Sequence, residues 1–390
     1  APGGAVTTLI PPPLSLYIHI PWCVKKCPYC DFNSHGKSGD LPVKDYVAAL
    51  VRDLEQDLPL VWGRPVHSVF FGGGTPSLFP PEAIGDILAA CSARLRFAPG
   101  AEITMECNPG TAEFGRFEGY RAAGVNRVSF GIQSFDDGCL ARLGRIHDSA
   151  EAERAVKLAQ DAGLDNLNLD LMYALPGQDL AMALHDVERA VALQPAHLSH
   201  YQLTMEPNTA FAARPPEGLP DEDSAWDIQE RCIEVMAAAG YAQYEVSAYA
   251  RPGRQCAHNL NYWRFGDYLG IGAGAHGKIS SGATGEVRRR WKPKNPRDFI
   301  AHAGTPAGIG GDDPIAPASL PFDYMLNALR LVEGFRLADF ESRTGLDRAV
   351  IAAELEEARG RGWLEPDGEY WRPTELGRRF TNDVIGLFLD

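Results

Sequence analysis

Apolar positions along the first 250 residues change period repeatedly, and each change marks a strand followed by a helix. The β-branched and aromatic run Leu14–Ile20 reads as a strand, as do Val66–Phe71, Glu102–Cys107, Arg127–Gln133, Asn166–Tyr173 and His197–Met205. Between and after them come stretches with helical spacing, at Pro42–Leu58, Pro81–Leu95, Ala112–Ala123, Asp137–Leu143 with Ala150–Ala162, Leu180–Leu193 and Asp223–Ala239. Six strand–helix units predict an α/β fold with a parallel sheet and crossover helices. Six are too few for an eight-fold barrel, so the expectation is an open, partial (β/α)6 barrel.

The rhythm breaks after Ala250. Residues 251–302 are rich in glycine, aromatics and arginine, and 303–319 read as a linker. From Leu320 a compact module begins, with helices followed by a hairpin turning at Asp367-Gly368, an arrangement that suggests a winged-helix-like α+β module. The expected division is therefore a tail (1–13), a core (14–250), the glycine-rich segment (251–302), the linker (303–319) and the module (320–390).

Composition narrows the function classes. With 390 residues the chain can build one large core and a smaller domain. A formal charge of −14 argues against broad nucleic-acid binding, which needs a cationic surface. The module itself carries nine basic against fourteen acidic residues, which favours packing or partner binding over DNA binding. Of eight cysteines, three are clustered and five scattered. That is not a disulfide framework, and it points to a reducing, cytoplasmic compartment. No export signal or membrane span is expected.

The clustered cysteines are Cys23-x-x-x-Cys27-x-x-Cys30, directly after the first strand. Three thiolates can hold three irons of a [4Fe–4S] cubane and leave the fourth open to a small ligand, whereas most clusters take four cysteines. A Cys3His zinc site with His35 is the competing reading. Gly72-Gly73-Gly74-Thr75-Pro76 follows the second strand, where glycines let backbone approach a ligand. Glu106, Gln133 and Asp170 also fall at or near the carboxyl ends of strands, where chemistry gathers in such sheets.

Together the cysteine triplet and glycine run resemble the radical S-adenosylmethionine (SAM) superfamily. Tyr17-Ile18-His19-Ile20-Pro21, Glu106-Cys107-Asn108-Pro109, Ser129–Gln133 and Asp170–Gly177 bring the chain close to the oxygen-independent coproporphyrinogen III oxidase family. The resemblance implies a [4Fe–4S] cluster on Cys23, Cys27 and Cys30. It implies a SAM site formed by Tyr17, Tyr29, Gly73, Gly74, Thr75, Glu106, Gln133, Arg145 and Asp170, and an electron donor if SAM is cleaved. Two features depart from the oxidases. Phe32 occupies the position of their fourth cysteine, and only 22 residues precede Cys23. Both resemble the HemW-type haem-chaperone branch, as does His258-Asn259-Leu260-Asn261-Tyr262-Trp263.

That branch implies haem as cargo, an apo-haemoprotein acceptor that can be membrane-associated, and a homodimer as one possible assembly. His258 is then a candidate iron ligand with Cys256 its rival, and Tyr262 and Trp263 are candidate porphyrin contacts. Arg288, Arg289, Arg290, Lys292 and Lys294 are candidate partners of the propionates. The alternative is a radical SAM coproporphyrinogen III oxidase, and a third class is a non-redox zinc protein. No residue is assigned a catalytic role.

Overall fold

A computed structural model describes residues 8–111 and 116–389. The extreme N-terminal tail, the start of the helix expected from Ala112 and the terminal Asp390 lie outside the described residues.

All six expected strands form: β1 (Leu14–Ile20), β2 (Val66–Gly73), β3 (Phe97–Cys107), β4 (Arg127–Gln133), β5 (Leu167–Tyr173) and β6 (His197–Gln202). They pair in sequence order and in parallel. Leu14, Leu16, Ile18 and Ile20 are essentially inaccessible, as are Val69, Phe71, Val128, Phe130, Leu169 and Leu198. Parallel strands buried on both faces read as near-continuous apolar runs, which is why these were legible.

The helices bury one stripe each. In Val43–Asp57 the inward positions are Tyr46, Ala49, Leu50, Asp53, Leu54 and Asp57, at spacings of three, one, three, one and three. Two of these six are aspartates, so this apolar stripe carries buried charge. Asp148, Asp179 and Asp221 cap three later helices by accepting backbone N–H bonds.

Beyond residue 250 the structure departs from the expected layout. The strands β7 (Ala242–Glu245) and β8 (Ala248–Ala250) close one edge, β8 antiparallel to β6 and β7 antiparallel to β8. On the other side β9 (Asp267–Ile271) pairs in parallel with β1, and β10 (His276–Ser281), β11 (Glu286–Trp291) and β12 (Gly311–Pro314) continue antiparallel. The full order is β12-β11-β10-β9-β1-β2-β3-β4-β5-β6-β8-β7. The 251–302 segment is thus part of the core sheet, and the stretch expected as a linker supplies its edge strand.

Three cations of the basic run are engaged within the fold. The run lies on β11 and just beyond, where Arg288 and Arg290 pair with Asp312, Arg290 also pairs with Asp57, and Lys292 is buried between Asp53 and Asp57. Arg290 and Lys292 thus tie β11 to the first helix, and Arg288 ties it to β12.

The C-terminal module packs helices around Tyr324, Phe340 and Leu355, with the hairpin Leu364–Asp367 and Tyr370–Pro373 joined by Phe335–Arg336. Phe265, in the turn before β9, and Val287 of β11 enter the same apolar cluster, so the module is fused to the core. Among the described residues no helix is long and apolar enough to cross a membrane.

Candidate functional site

A cavity of about 450 Å³ opens at the carboxyl ends of the strands. Cys23, Cys27, Cys30, Tyr29, Gly73, Gly74, Thr75, Glu106, Gln133, Arg145 and Asp170 all line it. Residues from six separate segments therefore converge where the parallel topology directs them. Tyr17 borders the adjoining cavity, which shares Gly73, Glu106 and Asp170.

The cysteine loop follows β1 and is tied back to the scaffold. Asn33 donates from Nδ2 to the carbonyls of Ala273 (3.1 Å) and Lys294 (2.9 Å), and its own carbonyl is 2.7 Å from His19 Nε2. Cys30 Sγ lies 3.7 Å from Ser34 Oγ, and Arg145 Nη1 is 3.6 Å from Cys27 Sγ. Burial, followed by the proximity of Cys30 and Cys27, raises the Cys23 thiol, with Ser34 and Lys26 opposing. Three thiols facing one cavity with an open side fit a cluster bearing a vacant iron. Among the described residues no three His, Cys, Asp or Glu side chains are disposed to hold a single metal ion. His35, with Nε2 3.2 Å from Asn33 Oδ1, borders a neighbouring cleft and not the cavity that the three thiols line.

The glycine run has a second explanation besides ligand approach. Gly73 sits at φ +115°, and a Cβ there would come within 2.7 Å of the His19 ring. At Gly74 a Cβ would collide with the Trp22 carbonyl. Both glycines are therefore required by the protein's own packing, and a Val at 73 would disturb the cysteine loop as well as any bound ligand. Gln133 is a non-glycine residue at φ +71°, a strained conformation held at the cavity wall.

Two carboxyls meet across the cavity. Burial and then the neighbouring Asp170 push Glu106 up to about 8, opposed by the Gly73 N–H. Burial raises Asp170 too, against Asn168 and Arg127. A ligand bearing an ammonium or ribose hydroxyls would satisfy both. In the ligand-free protein Glu106 is then protonated near neutral pH. Its folded pKa lies above the unfolded value, so its contribution is fully present below about 4.5 and lost as pH rises through about 8. Glu106→Gln should flatten this dependence by on the order of 1–2 kcal/mol between pH 6 and 9. Denaturant titrations at the two pH values check it; parallel curves for parent and variant would contradict it.

Arg145 donates to the Gly131 carbonyl at 2.7 Å and reaches Tyr29 Oη at 3.4 Å, while its buried Nε has no hydrogen-bond partner. That leaves a donor for an incoming carboxylate. Sequence reasoning passed over Arg127, a fully buried guanidinium lining the adjoining cavity of about 230 Å³. The available signal was an arginine opening an otherwise apolar strand.

The His258–Trp263 motif forms the helix Ala257–Trp263. His258 is buried, with Nδ1 2.8 Å from Ser68 Oγ and Nε2 3.2 Å from Tyr262 Oη, and it stacks on Phe70. Both ring nitrogens are occupied. Tyr262, four residues on, shares its face as helical spacing requires. Trp263, five on, does not; it turns away beneath the Arg330 guanidinium at 4.3 Å. Asn261 donates to Ser15 Oγ and the Asp267 carbonyl. Cys256 is buried against Glu102, and burial pushes its thiol up to about 12. The motif thus clips the helix to β1, β2 and β9.

This fold and cleft define a radical SAM protein. The radical SAM superfamily model matches residues 17–190, and the HemN C-terminal domain model matches 315–380. The structure is similar to that of the Escherichia coli coproporphyrinogen III oxidase HemN, a radical SAM enzyme, with a TM-score of 0.81 over 98% of this chain and 92% of that one, at 23% identity. The chain belongs to the HemW haem chaperone family. It is 51% identical to the haem chaperone HemW of Escherichia coli K12 over 97% of this chain and 98% of that one. It is 48% identical to the HemW of Haemophilus influenzae, again over 97% and 98%.

Proposed function

We propose that this protein binds haem and delivers it to apo-haemoproteins, and that its main cleft holds a [4Fe–4S] cluster with SAM. The observation that carries the reading is Phe32. It stands where the oxidases have their fourth cysteine, in a chain matched almost end to end by haem chaperones.

In this reading Cys23, Cys27 and Cys30 hold the cluster and leave one iron for the amino and carboxylate groups of SAM. Bound there, the pair supplies one-electron chemistry at the SAM sulfonium. The chain's own residues position the ligand. Arg145 would pair with the carboxylate, Glu106 and Asp170 would accept from the amino N–H groups or ribose hydroxyls, and Tyr29 and Thr75 border the ligand beside Gln133. Tyr17, hydrogen-bonded to His19 at 2.8 Å, backs the site from the adjoining cavity.

The test is anaerobic. Reconstituted protein incubated with coproporphyrinogen III, SAM and a reductant should yield no protoporphyrinogen IX, while SAM should alter the electron paramagnetic resonance of the reduced cluster. SAM-dependent decarboxylation over multiple turnovers would restore the oxidase reading. An unchanged signal at saturating SAM would remove the open iron.

A further inference from the structure

Phe32 borders both the main cleft and a second one. That cleft, of about 640 Å³, is bordered by Phe32, Tyr262, Tyr268, His276, Lys26 and Lys294. Its size lies within the roughly 300–1,000 Å³ of sites that enclose cofactor-sized ligands. The main cavity is, in the proposed function, already taken by cluster and SAM.

Its walls have the chemistry of a porphyrin site. Phe32 is 65% exposed, a large apolar side chain left without cover at the junction of the two clefts. Tyr262 and Tyr268 form a T-shaped pair with centroids 4.5 Å apart. Lys294 makes no ion pair among the described residues, and Lys26 Nζ reaches only the Phe32 carbonyl at 3.2 Å.

Three histidines border the cleft, and their hydrogen bonds distinguish them. His19 has both nitrogens engaged, with Tyr17 and the Asn33 carbonyl. His35 uses Nε2 on Asn33. His276 is exposed and its imidazole makes no hydrogen bond among the described residues; the ring stacks loosely with Trp291. Partial desolvation of the ring, then Lys294 and Arg289, lower its pKa, which favours the neutral imidazole that binds iron.

We infer that haem docks in this second cleft, with His276 as its iron ligand, Phe32 and the Tyr262–Tyr268 pair against the macrocycle, and Lys26 and Lys294 toward the propionates. This rests on the haem-chaperone reading. His258 then has a different role. Held by Ser68, it fixes Tyr262 on the cleft wall and acts as a positioning residue.

Haemin titration of the anaerobically reconstituted protein tests it. His276→Ala should shift the Soret band and weaken haem binding at least tenfold, with cluster iron and SAM binding unchanged. His276→Tyr should convert the bound haem to the high-spin spectrum of phenolate ligation. The double variant Lys26→Glu/Lys294→Glu should weaken binding without moving the Soret maximum. If the parent binds haem and His276→Ala gives the same spectrum and affinity, this site is wrong and the chaperone reading stands. If the parent binds no haem, both fall.

Discussion

Replacing Cys23, Cys27 or Cys30 with Ala should each remove most of the iron and acid-labile sulfide from anaerobically reconstituted protein. Two thiolates cannot anchor a cubane that already gives up one position to a small ligand. The other five cysteines supply the control. Cys91, Cys107, Cys139, Cys232 and Cys256 are buried, Cys107 of them at the wall of the main cavity, and burial pushes the thiols of Cys91, Cys107, Cys232 and Cys256 up to about 12. They remain protonated at neutral pH and are poor metal ligands. Cys232→Ala should therefore keep a full cluster. Full iron in any of the three loop variants, or zinc alone in the parent, would contradict the assignment.

Lys292→Met should cost about 3–5 kcal/mol, because it removes the cation shared by two buried carboxylates and leaves Asp53 with none. Lys292 bridges Asp53 and Asp57, at 2.8 Å from the latter, and the exposure of all three side chains is 2% or less. Arg290 remains on Asp57 at 2.7 Å, so Asp53 bears most of the loss. Burial already pushes Asp53 up to about 6, against the pull of Lys292. The folded pKa exceeds the unfolded one. The protonated form's contribution is therefore complete below about 4 and lost as pH rises through about 6. Without Lys292 the folded value climbs further, so the variant should be much weaker than the parent at pH 8 and closer to it at pH 5.5. Equal losses at both pH values in denaturant unfolding would contradict this.

The consequence reaches the site. Asp53 Oδ2 accepts from the Gly272 N–H at 3.0 Å, and the Ala273 N–H donates to Tyr46 Oη at 3.0 Å. Tyr46 in turn donates to the His19 carbonyl, and the Ala273 carbonyl receives Asn33 of the cysteine loop. One buried ion group thus supports the turn that carries both the cysteine loop and the approach to His276.

The parallel half of the sheet could be read from the chain because burial on both faces leaves uninterrupted apolar runs. Even there β3 begins at Phe97, earlier than expected, since Pro99 and Gly100 punctuate a segment that nevertheless pairs with β2. The strands after residue 266 were hidden for a different reason. Glu286–Trp291 reads Glu-Val-Arg-Arg-Arg-Trp, and its arginines look like a solvated or ligand-binding face. Arg290 pairs with Asp57 and Asp312, which are 233 and 22 residues away, and only the fold brings them together. The main cleft was legible because its residues sit at strand ends in a recognisable order. The second cleft was not: it joins residue 26 to 276 and 294 through the pairing of β9 with β1. Likewise, helical spacing placed Tyr262 beside His258, but Trp263 one residue further on faces the C-terminal module.

Haem transfer tests the central claim most directly. Anaerobically reconstituted protein, loaded with one equivalent of haemin and separated from free haem, is mixed with the apo-form of a b-type haemoprotein. The account predicts that the Soret band moves to that of the acceptor and that the acceptor's activity returns, at a rate above that given by haemin on an unrelated carrier protein. A parent protein that takes up no haem, or that holds its haem while the acceptor stays empty, would contradict it.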